Sequence, residues 1–268
     1  MTYYPQISSG TLAQYPLTKR LRRRVIVNRL ADGSRIAQLG VSPLSSSWAL
    51  TYSELSDSER ALLCQFHSSM EGRLLTFAFL DPTGNLLKWS EKLNNAVWTR
   101  DPGLGIDENI SAPNGSSRAS RLTNSSAIAQ QCRQTVAGPG TFTYCFSLQA
   151  RADVPTTLAL RMGSGSASTS SEAKVSTTWH RYWISGNLQV TSESLSLGLT
   201  VPANSSVEIY GLQATAQPGP GEYIKTLASN AVHNSVRFVD DALSFTSSAL
   251  DNNSMTIRLS TIHVATTG

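Results

Sequence analysis

The sequence predicts a mostly β protein, in which a barrel- or sandwich-like scaffold with one α-helix carries an inserted antiparallel β-sandwich of the jelly-roll kind. The 268 residues are 40% hydrophobic and rich in turn-forming residues, a composition typical of globular chains long enough for two domains. Only one stretch has helical spacing. Short β-branched or alternating runs, separated by Gly, Pro, Asn and Ser, recur along the rest of the chain and indicate strands.

An insertion is the simplest account of the order of these runs. Residues 231–268 contain two strand patterns, Val236–Asp240 and Ser254–Leu259, but too little apolar sequence for a core. Their expected partner is the first segment, because the ends of a compact domain lie close together. We therefore predict a scaffold made of residues 1–85 and 231–268, interrupted by an inserted domain at 86–230.

The first segment opens with a predicted hairpin. The runs Arg24–Leu30 and Arg35–Leu39 flank Asp32-Gly33, and Asp-Gly favours a tight turn because Gly adopts positive φ at little cost. Ser47–Tyr52 alternates and predicts a third strand.

A helix follows this strand. Ser56 and Glu59 fit a capping box, in which each side chain satisfies a free backbone N–H. The residues expected on its buried face are Leu62, Leu63, Phe66 and Met70. Gly72 is placed to end the helix in a left-handed cap, and Leu74–Leu80 predicts the next strand.

The insert has its own series of short strands, typical of a sandwich or jelly roll. It begins with the runs Leu86–Glu91 and Asn94–Thr99. The further predicted strands are Ser120–Leu122, Gln130–Val136, Thr141–Ala150, Thr157–Met162, Trp179–Ser185, Ser194–Leu199 and Val207–Gln213. The low-complexity run Ser164–Ser171 predicts a mobile, exposed loop.

Charge is scarce and locally concentrated. Charged residues make up 15% of the chain and the net charge is +4. Six basic residues fall within eleven positions: Lys19, Arg20, Arg22, Arg23, Arg24 and Arg29. Such a run could face nucleic acid, but no interleaved aromatics accompany it. We favour a solvated strand edge or a contact with another protein subunit, and no nucleic-acid partner is expected.

The sequence offers little sign of secretion, membrane insertion or metal binding. The polar start of the chain is unlike a secretory signal, and no apolar run approaches the roughly 18 residues of a membrane span. Cys64, Cys132 and Cys145 lack the spacing of metal ligands. Cys132 and Cys145 could pair outside a cell, but free buried thiols fit a chain made in cytoplasm. We expect no metal, no cofactor and no membrane insertion.

No catalytic motif is present, and the prediction is that the protein is not an enzyme. There is no nucleophile elbow, zinc-protease motif or phosphate-binding loop. Asp107, Glu108 and Glu172 could supply a carboxylate pair for glycoside hydrolysis. Two acids in a sandwich are, however, expected by chance.

The insert resembles the carbohydrate-binding-module-like β-sandwich found in phage tail and virion proteins. The residues that carry the resemblance are Asn85–Ser90, Trp98-Thr99, Ala112–Ser116, Ala119–Leu122, Tyr144–Ala150, Trp179–Tyr182, Ile209–Gln213 and Tyr223–Thr226. The resemblance implies a sandwich that holds glycan.

The scaffold is similar to the distal or minor tail proteins of long-tailed phages. The matching residues are Trp48–Tyr52, Leu55–Glu59, Phe77–Pro82, Val236–Phe238 and Thr256–Leu259. This resemblance implies a ring-forming, commonly six-fold, structural subunit of the virion tail tip, in contact with the tail tube and the hub proteins and made in the host cytoplasm. The leading alternative is a stand-alone glycan-binding protein or a fragment of a polysaccharide depolymerase.

Host surface polysaccharide is the expected ligand, since sugar C–H faces stack on exposed aromatic rings while polar neighbours take the hydroxyls. The candidates are Trp98, Tyr144, Trp179, Tyr182 and Trp183. Strand alternation puts Trp179, Arg181 and Trp183 on one face and His180 and Tyr182 on the other. One set must line the core, and an insert without any glycan site stays an alternative. The six basic residues of the Lys19–Arg29 run are the candidate assembly contacts.

Overall fold

A computed structural model describes residues 1–261 and their side chains, apart from the side chains of Arg24 and of residues 39–44. These residues form sixteen β-strands and one α-helix, which confirms the mostly β fold class. The strands are β1 Leu17–Arg29, β2 Arg35–Leu55, β3 Phe77–Leu80, β4 Thr99–Arg100, β5 Leu104–Ile110, β6 Ala119–Asn124, β7 Gln130–Ala137, β8 Tyr144–Arg151, β9 Thr156–Ser164, β10 Ala167–Val175, β11 His180–Gly186, β12 Ser194–Val201, β13 Ser205–Thr215, β14 Val232–Phe238, β15 Phe245–Ala249 and β16 Asn252–Thr261. The helix α1 is Asp57–Ser69.

The chain divides into two compact units. The scaffold unit comprises Met1–Ser8, Ala13–Phe79 and the chain from His233 onward, and the sandwich unit comprises Ser9–Leu12 and Leu80–Val232. The sandwich unit therefore begins a few residues before the predicted insert and also takes a short piece of the amino-terminal segment.

The scaffold unit is built on one antiparallel sheet with strand order β1-β2-β16-β14-β3, and β15 pairs with the far part of β16. Strand β16 pairs along β2 from Asn253 opposite Leu55 to Ser260 opposite Ser47. The returning strands thus complete the sheet begun by the first segment. The inward side chains of β2 and β16 alternate along the strands and are buried, among them Trp48, Leu50, Ile257 and Leu259.

The helix begins as predicted. Ser56 is the N-cap, its hydroxyl accepts a hydrogen bond from the Glu59 amide, and the Glu59 carboxylate accepts from the Ser56 amide at 3.0 Å. The last helical residue is Ser69. Glu71 follows the C-cap residue Met70 with φ +52°, and Gly72 comes next with φ +62° and donates its N–H to the carbonyl of His67 at 3.1 Å. The left-handed cap therefore spans Glu71 and Gly72 and begins one residue before the predicted position.

The buried face of the helix differs from the predicted face at one position. Leu63 and Met70 are buried, but Leu62 is 39% exposed. Adjacent helical positions are about 100° apart, so one narrow stripe cannot bury both leucines. His67 lies on the buried stripe instead, within hydrogen-bond distance of the backbone oxygen of Asp240 at 3.1 Å.

Beyond the sheet, β1 and β2 continue as a two-stranded ribbon over residues 21–46, which we call the arm. Within residues 1–261, the strand pairing of β2 before Ser47 is to β1 alone, and the Asp32-Gly33 turn closes the ribbon as predicted, with Gly33 at φ +83°. Among the described side chains of the arm, six apolar ones are exposed, namely Leu21, Val25, Ile26, Val27, Leu30 and Ile36. A two-stranded ribbon has no core in which to bury them.

The sandwich unit contains two five-stranded antiparallel sheets. Their strand orders are β10-β9-β12-β7-β4 and β11-β8-β13-β6-β5, and the inward rows of both sheets are buried. The predicted strands from Ser120 to Gln213 are confirmed with small changes at their ends.

Two predictions in this unit were wrong, and strand β5 was not predicted. Residues 86–98 form turns rather than two strands, because their backbone groups bond one another in successive turns. The buried side chains of this segment include Leu86, Leu87, Leu93 and Trp98. The run Ser164–Ser171 is no loop: it ends β9 and begins β10, with Gly165 turning the hairpin at φ +55°. Strand β5 was missed, since glycine and acidic residues weaken its strand signal.

The three cysteines are free thiols. Cys132 and Cys145 are buried, on β7 and β8 of different sheets, whereas Cys64 is partly exposed. Burial raises the pKa of the Cys132 thiol to about 12 and that of the Cys145 thiol to about 11, so both stay protonated and unreactive at neutral pH. Across residues 1–261, no helix has the length and apolar character needed to cross a membrane.

Candidate functional site

The outward face of the sheet β11-β8-β13 carries the candidate site, which we call the aromatic face. In the register of β11 on β8, Trp183 lies opposite Ser147 and Arg181 lies opposite Gln149. Residues paired directly across strands point to the same side of a sheet, so these four side chains form a patch. Trp179 directly precedes β11 and extends the patch, since strand alternation predicts that it lies on the same face as Arg181 and Trp183.

Trp183 is the exposed ring of this face. Its side chain is 53% exposed on the edge strand β11. Beside it, Arg181 donates a hydrogen bond from Nη2 to the Ser147 hydroxyl at 2.9 Å, and burial lowers the pKa of this guanidinium from its ordinary value. The Gln149 carboxamide is half-buried and makes no side-chain hydrogen bond within residues 1–261. A flat apolar ring therefore stands next to a cation and an unused amide.

An ion cluster continues the face beyond Trp179. The Arg151 guanidinium lies over the Trp179 ring, 5.1 Å from its centroid, and donates from Nε to Glu208 at 2.6 Å. Glu208 also accepts from Nε of Arg121 at 3.2 Å. Burial by itself would raise the pKa of Glu208, but hydrogen bonds and charges from the two arginines outweigh it, so the pKa lies below its ordinary value. The cluster fixes Arg151 against the indole.

The part of this outward face that lies away from Trp183 is covered by other side chains. Tyr210 packs edge-on against Tyr223 at 5.4 Å between centroids, and the Asn114 amide donates to the Tyr210 hydroxyl at 2.9 Å. The Tyr223 hydroxyl is 2.8 Å from the Ser90 hydroxyl, and burial raises the pKa of this phenol. Trp179 packs beside this group. The open part of the aromatic face is therefore the end around Trp183.

Two predicted glycan-binding aromatics belong to the core instead. Trp98 is 5% exposed and donates its indole N–H to the Trp89 carbonyl at 3.1 Å. Tyr144 is 2% exposed, points inward from β8 and donates its hydroxyl to the Pro139 carbonyl at 2.9 Å. Neither ring offers an uncovered face, so the prediction of stacking at these two positions is corrected: their rings fill the interior of the sandwich.

Tyr182 closes an edge of the sandwich. It points to the side opposite Trp183 and donates its hydroxyl to the Lys174 carbonyl at 2.9 Å, which links β11 of one sheet to β10 of the other. Its half-exposed ring is thus a structural contact.

The carboxylates considered for hydrolysis are spread over the unit. Asp107 and Glu108 lie on β5 and Glu172 lies on β10, in different sheets. Glu108 forms an ion pair with Lys92 at 3.1 Å.

The predicted assembly residues lie along β1, on the arm and at its base. Arg20, Arg22, Arg23 and Arg29 are exposed, and the described part of the chain brings no acidic side chain to them. The Lys19 ammonium lies 5.9 Å from the centroid of the Trp48 ring. The side chain of Arg24 falls outside those that the structure describes.

Sequence reasoning missed the polar members of the aromatic face, Ser147, Gln149, Arg151 and Glu208. Alternation in the predicted strand Thr141–Ala150 places the first two on one face, and this signal was available. Their position beside Trp183 depends on the pairing of β8 with β11, which the sequence does not specify.

Comparisons with known proteins give structural matches only: no family model and no curated protein matches the chain. About half of the chain matches carbohydrate-binding-module-like β-sandwiches. A carbohydrate-binding module in complex with β-1,4-galactotriose is 15% identical over 48% of this chain and 97% of its own, with a TM-score of 0.40. The xylan-binding domain of a Paenibacillus barcinonensis protein is 14% identical over 50% of this chain and 96% of its own, with a TM-score of 0.41. The enzymatically active domain of a tailspike protein of bacteriophage CBA120 is 15% identical over 51% of this chain and 22% of its own, with a TM-score of 0.41.

Proposed function

We propose that the sandwich unit is a glycan-binding module and that its site is the aromatic face around Trp183. The observation that carries the proposal is the exposed indole beside Arg181 and Gln149. A sugar ring presents apolar C–H groups on one face and hydroxyls around its rim. The Trp183 indole can stack on the apolar C–H face, and the Arg181 guanidinium and the Gln149 carboxamide supply hydrogen-bond donors and an acceptor for the hydroxyls.

The remainder of the face suits binding better than catalysis. Arg151 and Glu208 neutralise each other over Trp179 and hold it in place, and the carboxylates on β5 and β10 lie in different sheets. A single exposed ring gives weak binding, so useful avidity would need several copies.

Affinity electrophoresis of the whole protein in gels containing xylan, β-1,4-galactan or dextran tests this function. We expect retardation by at least one neutral polysaccharide, and Trp183→Ala should weaken it at least about tenfold. Ile128→Ala is the matched control, because Ile128 is also exposed, at 69%, but lies outside the aromatic face. Equal retardation of Trp183→Ala and the native protein, or none by any of the three polymers, would overturn the proposal.

We also propose that the scaffold unit assembles into a ring, as a structural subunit of a phage tail tip that joins the tail tube to the tip. The arm supports this second function, because it presents exposed apolar and basic side chains that nothing within residues 1–261 covers. An unpartnered apolar surface of this kind favours protein contacts. The stand-alone glycan-binding protein is the alternative and would be monomeric.

The oligomeric state separates the two possibilities. Light scattering coupled to size exclusion should give a closed oligomer for the native protein and a smaller species for Arg22→Glu/Arg23→Glu, with the melting temperature of the monomer nearly unchanged. Arg237→Glu, which reverses an exposed charge on β14, is the control. A monomeric native protein at high concentration argues against assembly through the arm.

A further inference from the structure

The second sheet of the sandwich unit carries a polar trough on its outward face, which we call the arginine trough. It has a volume of about 140 Å³ and is lined mainly by Gln131, Arg133, Arg161, Gly163, Ser168 and Ser196. Strands β7, β12 and β9 supply most of these residues. The trough lies on the sheet opposite the aromatic face, and nothing argued for that face depends on it.

A glycine holds the trough open between two arginines. Gly198 on β12 lies opposite Arg133 on β7 and opposite Arg161 on β9. Side chains at directly paired positions share a face, so the two guanidinium groups flank a position without a side chain. A Cβ at residue 198 would come within 2.3 Å of the Cys132 carbonyl oxygen, so only glycine fits there. The close approach of β12 and β7 therefore requires glycine at this position, and the absence of a side chain there leaves the trough open.

The charges in the trough are poorly neutralised. Arg133 has one acidic neighbour, Asp101, at 3.6 Å, and both side chains are partly exposed, so the pair is weak. Arg161 has no ion pair or side-chain hydrogen bond among the described residues. None of the residues lining the trough is aromatic, so a neutral sugar finds no ring on which to stack.

We propose that the arginine trough binds the anionic group of an acidic polysaccharide, a carboxylate or a sulfate carried on a sugar ring. Guanidinium groups bind such oxyanions through paired N–H donors. The Ser168 and Ser196 hydroxyls and the Gln131 amide are hydrogen-bonding groups for the neighbouring sugar hydroxyls. The arginine trough gives the anion access from solvent to both Arg133 and Arg161.

Calorimetric titration of the whole protein with trigalacturonate, a sulfated trisaccharide and neutral galactotriose tests the proposal. We expect one of the two acidic probes to bind more tightly than the neutral one, and the tighter one identifies the anionic group. Arg161→Gln should weaken that binding about tenfold, which corresponds to about 1.4 kcal/mol. Ser196→Leu should weaken it similarly, since it fills the trough without changing the charge.

The controls separate this site from general charge attraction and from the aromatic face. Arg22→Gln removes the same charge from the arm, and Trp183→Ala alters the aromatic face; both should bind the acidic probe like the native protein. An equal loss in Arg22→Gln and Arg161→Gln, unchanged binding in Ser196→Leu, or no preference for either acidic probe would each overturn the proposal. Tighter, Arg161-dependent binding of a short single-stranded oligonucleotide would overturn it in favour of a phosphodiester ligand.

Discussion

Asn85 is the residue whose removal should most clearly unfold the sandwich unit. It is 1% exposed and satisfies all four of its amide hydrogen-bonding positions with backbone groups. Its amide nitrogen donates to the carbonyls of Leu212 at 2.9 Å and Ile224 at 3.1 Å. Its carbonyl oxygen accepts from the amides of Leu87 and Ala214, both at 3.0 Å. One side chain thus joins the start of the unit to β13 and to the segment after it.

The expected cost of Asn85→Ala follows from these four bonds. The substitution leaves two backbone N–H and two C=O groups buried without their partner, and each unsatisfied buried group costs about 1–3 kcal/mol. Water entering the vacated space recovers part of this, so we expect the free energy of unfolding to fall by about 4 kcal/mol. That is a large share of the 5–15 kcal/mol typical of a domain.

Denaturant unfolding followed by tryptophan fluorescence measures this change. Four of the five tryptophans lie in the sandwich unit, so the signal reports mainly on that unit. Asn187→Ala is the matched control: Asn187 is exposed and makes no side-chain hydrogen bond among the described residues, so its replacement should cost under about 0.5 kcal/mol. A loss below about 1 kcal/mol in Asn85→Ala would refute the reasoning that its four bonds hold the unit together.

Three further predictions concern the same structure. Trp98→Ala should lower the free energy of unfolding by about 3–5 kcal/mol because the ring is core, whereas Trp183→Ala should cost under about 1 kcal/mol; similar denaturation midpoints for the two would contradict the burial pattern. The pKa of Glu208 is lowered in the folded protein, so its contribution to the free energy of unfolding is fully present above the ordinary carboxyl pKa of about 4.3 and is lost as the pH falls through the lowered pKa. In Glu208→Gln the free energy of unfolding should therefore fall less steeply with decreasing pH, as measured by denaturant unfolding at several acidic pH values. An unchanged slope would contradict this. Replacing residues 86–230 by a short Gly/Ser linker should leave a scaffold that melts cooperatively in calorimetry. A short linker can span the gap because the chain enters and leaves the sandwich unit at neighbouring points, where the Asp81 amide donates to the Ala231 carbonyl at 2.9 Å. An unfolded product would contradict the insertion.

The sequence by itself determined the local structure of this protein. The capping box at Ser56 and Glu59, the Asp32-Gly33 turn and most strands of the sandwich unit were predictable, because each depends on residues only a few positions apart. Alternation also predicted that Arg181 and Trp183 share a face. The alternation of side chains does not say which face of a strand is open, so the prediction of binding at Trp98 and Tyr144 is wrong: their rings lie in the core.

Only the tertiary structure decided which distant residues meet. The aromatic face depends on β11 pairing with β8, and the arginine trough depends on β12 lying between β7 and β9, so that Arg133 and Arg161 flank Gly198. Shifting a strand by one residue would reverse every side chain it carries, and the local pattern does not fix that register. The burial of whole rows of side chains in both sheets fixes it, and this burial exists only once the sheets have packed.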